Sequence, residues 1–468
     1  MDDYGKSILK LGVGDFARGF TWGLEVERHR IDSEGYISQA PYPAMLGEQS
    51  RNPYLKNDFF ESQSELITPV AGSIDQVLHD ARALDHTLRA ALAAGEYLWP
   101  FSMPPKLTAD HSELVYANDS PKKVAYFEEI GRRFGKLDGA ASGIHVNLGP
   151  TTAWTNAIAL RMRRKQQRVR DDLMLKQAVG FMHYRWLLTY LKGASPIAEQ
   201  HYLSQLPEQP VRSLRNSREY GYGCAQEFKG DYRSVEAYVD RIKAGVASDE
   251  LLAASAYHEP VRLRHMAGLD AMLAEGVSHI ELRMLDLDPV SDIGIQRDTL
   301  LLIQLMAFYF MVSLSLDPEA LTAASFKNDQ VSLEHPYRSC CQQQDALNLL
   351  HQLQKLVRRA NLAPEYTAML RRMIEAIRRP NLTTSGQLLP RIRQNSLSQY
   401  GLQLAAEFQL LSQLNPSPVY RGFAAEPCPP HNQLQRDLFD RYQRHAHVNL
   451  PSLVIPDSPE LPEDNIAN

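Results

Sequence analysis

Short stretches in which charged and apolar residues alternate with a period of two constrain this chain's fold more than any other feature. In an extended strand, residues two apart point the same way. Thr21 to Arg28 therefore puts Glu25 and Glu27 on one face, with Leu24 and Val26 on the other. Gly143 to Leu148 does the same for His145 and Asn147 against Ile144, Val146 and Leu148, and Ile280 to Met284 for Glu281 and Arg283. Glu61 to Ile67 groups Glu61, Gln63 and Glu65 if it is extended. Asp58, Glu61 and Glu65 also fit one helix face, but the β-favouring run Leu66-Ile67-Thr68-Pro69-Val70 tips this segment towards a strand.

Any one such strand fits an amphipathic surface strand. Four of them carry Glu, His, Asn and Arg, with almost none of the Lys, Thr and Ser of a solvated sheet. Carboxylates and an imidazole converging on one face repel unless cations neutralise them. Oxygen ligands with a single nitrogen suit Mg²⁺ or Mn²⁺ better than a zinc cage. An arginine on the same face suits a phosphate or carboxylate substrate. The residues alone thus point to a metal-dependent, phosphoryl-handling enzyme on an antiparallel sheet. Neither a Walker loop nor a dinucleotide-binding glycine pattern is present; Gly12-Val13-Gly14 is too short to count.

The remainder reads as helical. The first 80 residues or so read as strands and turns, and a helix follows over 75–96, with Ser73 or Asp75 as its N-cap. Further helices are predicted at 121–134, 152–192, 233–245, 265–275, 296–316, 317–327, 343–361, 364–378 and 396–413, and a buried strand at 280–287. Strands in front and in the middle with helices behind make the class α+β. The apolar run Leu300–Leu316 contains Gln304 and falls short of the roughly 20 residues a spanning helix needs, so it reads as a central buried helix and no membrane partner is expected.

Composition excludes other classes. With 44% hydrophobic and 22% charged residues in 468, the chain is globular. A net charge of −5 gives no reason to expect nucleic acid, and the basic stretch Arg161–Arg170 reads as a solvated helix face. Four cysteines in no zinc spacing, with an acidic N-terminus, favour a reducing compartment, and the expected location is cytoplasmic.

The same segments resemble a family. Gly23 to Ile31, Ala40-Pro41-Tyr42-Pro43 with Leu46-Gly47, Asp58 to Pro69, Leu98-Trp99-Pro100-Phe101-Ser102-Met103-Pro104, Ser142 to Asn147 and Glu281 to Pro289 are similar, in order, to motifs of bacterial glutamate–cysteine ligases. Their wording is closest to the ligase half of the fused glutathione-synthesising enzymes of Gram-positive bacteria. The resemblance implies a glutamine-synthetase-like antiparallel sheet curved into a funnel. It implies one catalytic domain over 1–415 and an extension over 416–468 with a loose end, with no ATP-grasp domain in 468 residues. It also implies two or three Mg²⁺ (or Mn²⁺) ions with ATP, L-glutamate and L-cysteine as substrates. ATP would phosphorylate the glutamate γ-carboxylate, and the cysteine amine would displace phosphate.

Carried over by position, Glu25, Glu27, Asp58, Glu65, His145 and Glu281 are the expected metal ligands. Glu281 with Arg283 would serve the phosphoryl transfer. Arg215, Tyr222, Phe59, Phe134, Asn147 and His258 would contact the amino-acid substrates, whereas Trp99 reads as core. Some positions depart from the family's pattern. His258 replaces an aromatic, Glu259 a small residue, Phe134 a common tyrosine and Val146 a common aromatic. The expected alternatives are therefore a different amine acceptor, or an idle paralogue acting as a binding subunit.

Overall fold

The computed structural model describes residues 2–12, 16–118, 120–221 and 228–415. Tyr222 and the extension from 416 lie outside the described residues. Its framework is an open sheet of β1 (Phe20–Ile31), β2 (Leu55–Asn57), β3 (Gln63–Ile67), β4 (Tyr97–Leu98), β5 (Ile144–Pro150), β6 (Val261–Arg264) and β7 (His279–Leu285). The order is β2-β3-β1-β5-β7-β6, with every neighbouring pair antiparallel, and β4 pairs with the end of β1. The α+β class predicted from the alternating strands is the class observed.

The alternation explains the layering. Leu24, Val26, Ile144, Val146, Leu148, Ile280 and Leu282 are all buried and share one core with the surrounding helices. Helix Gln166–Lys192 packs on β6 and β7, and helix Ile74–Ala91 on β1 and β3. The apolar run forms helix Arg297–Val312, buried from Thr299 to Phe308. Each fully buried Leu, Ile, Phe or Met there contributes roughly 1.5–3 kcal/mol. Its polar member is satisfied: Gln304 accepts from Tyr366 Oη at 2.5 Å. Among the described residues, no helix is long and apolar enough to cross a membrane.

The helix-covered face also holds charge. Continuing the alternation of Leu24 and Val26, Arg28 turns its guanidinium into the core, where Nη2 lies 2.7 Å from Asp85 Oδ1. Arg89 Nε reaches Asp85 Oδ2, also at 2.7 Å. Burial would raise the Asp85 carboxyl, but the two guanidinium groups outweigh it and lower it. Arg30 pairs with Glu96 at 2.8 Å.

Several sequence expectations are corrected. The N-terminus is not all strand and turn: Asp3–Leu11 is a helix, capped where Asp2 accepts from Gly5 N, with Tyr4 and Ile8 buried. The helix predicted over 152–192 is two, Thr152–Met162 and Gln166–Lys192, because Arg163 adopts φ +54°. The strand read over Glu61–Ile67 begins only at Gln63. Glu61 sits in the preceding turn, where its carboxylate accepts from Tyr42 N and Asn118 N. It therefore does not join Glu65 on the sheet.

Candidate active site

The sheet register assembles the face opposite the core. Glu27 pairs with Glu65 across β1 and β3, and Glu25 with His145 across β1 and β5. Asn147 pairs with Glu281 across β5 and β7, and Arg262 with Glu281 across β6 and β7. The β5–β7 pairing shifts between Ile144 and Val146. Such irregularities re-aim side chains, and here Arg283 Nη1 reaches 3.4 Å from His145 Nδ1.

Glu25, His145 and Glu281 each offer a ligand atom within 4.8 Å of the others. His145 lies 2.9 Å from Glu25 through Nδ1 and 3.4 Å from Glu27 through Nε2. Burial and the Arg283 charge lower the His145 pKa. A neutral ring that donates Nδ1–H to Glu25 keeps a lone pair on Nε2, the form a metal ligand requires. Burial pushes the Glu25 carboxyl up, but hydrogen bonds from His145 and Asn147 prevail and bring it to about 2. The Glu281 carboxyl is lowered despite its burial, by Arg283, Arg262 and His145.

The other end of the face is short of positive charge. Burial raises Glu27 well above the carboxylate range, reinforced by Asp58 and Glu65, although Arg283 and Arg215 oppose it. Burial likewise brings Glu65 up to about 7, with Lys56 opposing and Asp58 and Glu25 adding to the rise. Carboxylates held this close in a buried site call for cations. Glu281 Oε2 is buried and accepts no hydrogen bond. Its nearest cation is the Arg264 guanidinium at 3.3 Å, and the oxygen-rich donor set with one imidazole fits a hard divalent cation held by Glu25, His145 and Glu281.

Other expected residues fall as follows. Asn147 donates to Glu25 Oε1 at 2.9 Å and so orients that carboxylate. Arg215 spends its guanidinium on the β7 backbone, donating to the carbonyls of Leu285 and Arg283 at 3.1 Å each. It thereby positions the Arg283 strand rather than offering those N–H groups to a ligand. Phe59 is buried in an aromatic cluster with Phe60, Tyr116 and Phe127. Phe134 ends helix Pro121–Phe134, half-buried and outside that cluster. His258 precedes β6 and donates Nδ1–H to Ala256 O, 2.8 Å away; burial, with Arg283 and Arg262, lowers its pKa. Trp99 is core, as expected, and donates Nε1–H to Met103 O.

Three residues of this face and one beside it, Asp286, escaped the sequence reading. Arg264 Nε lies 3.3 Å and Arg262 Nε 3.8 Å from Glu281 Oε2. The period-two signal Val-Arg-Leu-Arg in β6 could have found them. Lys56 Nζ lies 3.2 Å from Glu65 Oε2, but a three-residue strand is too short to show alternation. Asp286 accepts from Ala194 N, Ser195 Oγ and Ser213 Oγ at 2.7–2.8 Å, tying the Arg215 loop to the end of β7.

Known proteins are similar to this chain in sequence and fold. The bifunctional glutathione biosynthesis protein GshAB of Streptococcus agalactiae is 34% identical over 385 residues, covering 81% of this chain and 51% of the relative. Its Pasteurella multocida counterpart is 31% identical over 441 residues, 92% of this chain and 57% of the relative. The chain thus spans about half the length of these relatives. The crystal structure of a bifunctional glutathione synthetase from P. multocida superposes with a TM-score of 0.84 at 28% identity, covering 96% of this chain and 59% of that one. The glutamate–cysteine ligase of Francisella tularensis, solved with AMP, shares the fold, with a TM-score of 0.79 at 20% identity over 93% and 96% of the two chains. The glutamate-cysteine ligase family profile matches residues 13–254 and 248–332, stretches that hold every strand of the sheet. By this match and these relatives, the chain belongs to the glutamate-cysteine ligase family.

Proposed function

We propose that this protein uses ATP to join the γ-carboxylate of L-glutamate to the amine of L-cysteine, the first step of glutathione biosynthesis. The observation that carries the reading is the polarity of the site face. Carboxylates of Glu25, Glu27 and Glu281 surround His145 and Glu65 faces Glu27 across β1 and β3, while Arg262, Arg264 and Arg283 gather at the β6–β7 end. A carboxylate is a poor electrophile, so the γ-phosphoryl group of ATP passes to the glutamate carboxylate and ADP departs. The amine then attacks the acyl carbon, phosphate leaves, and the nitrogen loses a proton.

Bound Mg²⁺ or Mn²⁺, two or three ions in this reading, would offset charge on the phosphate and carboxylate oxygens. Glu25, Glu27, Asp58, Glu65, His145 and Glu281 are the groups we assign to hold them. Arg283 faces the transferred phosphoryl oxygens, where preorganised positive charge lowers the barrier. Arg215 fixes the backbone that aims Arg283, and Asn147 fixes the Glu25 carboxylate. Phe59 and its aromatic neighbours supply the apolar wall for the acceptor side chain. The free thiols of Cys340 and Cys341 accord with the reducing cytoplasm we assign to the protein.

A different amine is the second reading, favoured by the buried Glu259 beside His258, which has Lys229 3.2 Å away at its carboxylate. ADP release from ATP, Mg²⁺ and glutamate, with single amino acids and amines added in turn, tests both. Cysteine should stimulate turnover strongly, and Glu281→Ala should abolish it. Stimulation by another amine alone would keep the ligase chemistry and replace the acceptor. Silence with every acceptor would refute the ligase reading and leave the idle paralogue.

A further inference from the structure

The face that holds the carboxylates is unevenly compensated. At the β6–β7 end Glu281 has Arg262, Arg264 and Arg283 around it. At the β2–β3 end, Glu65 and Glu27 lie directly opposite one another in register, and Asp58 follows β2. The cation in contact with Glu65 is Lys56, its register partner, with Nζ 3.2 Å from Oε2. The lysine side chain is 34% exposed and the glutamate 9% exposed. The ammonium therefore sits at the mouth of the carboxylate group, not inside it.

Lysine on an edge strand commonly guards against strand addition, and there its ammonium reaches into water. Lys56 instead turns towards the buried face, where it pairs with Glu65. A lysine ammonium is a compact point charge on a flexible stem, so it can leave one oxygen for another without rebuilding the strand. We propose that Lys56 is a tethered counter-cation that occupies the Glu65 end of the site before a divalent ion arrives, and must yield Glu65 to it. It therefore sets how tightly the ion at that end is held. The inference rests on the divalent-metal reading of the site.

Removing Lys56 should then tighten metal binding. Even at the permittivity of water, a unit charge about 5 Å from a dication weakens its binding about tenfold. Mn²⁺ titration of the purified protein, followed by the loss of the free-ion paramagnetic resonance signal, measures this without turnover. In Lys56→Met, the ion bound at the Glu65 end should bind at least about tenfold more tightly than in wild type, whereas Lys56→Arg should stay within about threefold. In chelator, Lys56→Met should melt below wild type, because Glu65 keeps its like-charged neighbours and loses its partner. Saturating Mn²⁺ should close or reverse that gap, as linkage requires for a ligand of the folded state. Should Lys56→Met not fold in chelator, Lys56→Gln purified with Mn²⁺ and then dialysed gives the same affinity reading. Unchanged or weaker Mn²⁺ binding in the variants that lack the charge would overturn the role of Lys56 while leaving the ligase reading intact. Absence of Mn²⁺ binding in wild type would sink both.

Discussion

The Arg28–Asp85–Arg89 group offers a test of how the sheet is held beneath its reactive face. Asp85→Asn keeps the shape of the side chain and removes the charge. Both guanidinium groups stay in place, Arg28 with a 5% exposed side chain and Arg89 with 1%, now without the carboxylate that each meets at 2.7 Å. Breaking a buried pair by removing one partner costs about 3–5 kcal/mol, because the remaining charge is left uncompensated. Total stabilities are on the order of 5–15 kcal/mol, so this is a large fraction. In a domain this long, each kcal/mol moves the melting temperature by about 2 °C, which gives a drop of roughly 6–10 °C by calorimetry. Replacing the group with apolar residues, Arg28→Met with Asp85→Leu and Arg89→Met, should recover most of the loss, since no buried charge then remains. Arg28 projects from the opposite face of β1 to Glu25 and Glu27, so folded Asp85→Asn should bind Mn²⁺ as wild type does. A melting temperature within about 2 °C of wild type would refute the reasoning, and so would a triple variant no better than the single one.

Two more outcomes follow from individual contacts. A Cβ at Gly139 would lie 2.2 Å from Phe59 Cδ1, so Gly139→Ala should displace the Phe59 ring at a cost of about 1–3 kcal/mol. It should raise the KM for the amino acceptor severalfold and leave Mn²⁺ affinity alone; an unchanged KM would count against Phe59 as a pocket wall. Burial raises the Asp138 carboxyl to about 6, so the unfolded chain ionises first as pH rises. Relative to Asp138→Asn, wild type should lose stability between about pH 4 and pH 6 and hold a constant difference above; denaturant midpoints across that range check it, and a flat difference would show that the carboxyl titrates normally.

How much of this was legible depended on the length of each pattern. β1, β5 and β7 are each seven residues or longer, and the alternation within them is long enough to reveal which side chains share a face. Lys56 was missed because β2 has three residues. Arg262 was missed because its four-residue strand follows a segment read for its acceptor contacts. Arg28 lies within the alternation, yet nothing local indicates that a guanidinium on the apolar face will find Asp85, 57 positions away along the chain. The break at Arg163 and the cap at Asp2 are short-range features that periodicity averages out.

The sequence by itself determined that Glu25 and Glu27, His145 and Asn147, and Glu281 and Arg283 each present together, since strand geometry fixes the direction of residues two apart. It also marked Leu300 to Leu316 for burial as so apolar a run, but the helix ends at Val312 and Leu314 beyond it is exposed. Only the tertiary structure decided that those pairs meet. Register is a property of two strands, and a slip of one residue would send every carboxylate to the other face. The β5–β7 irregularity that brings Arg283 to His145, and the use of Arg215 as a brace for β7, arise from strands and loops far apart in the chain. Folding alone brings their charges close enough to govern one another.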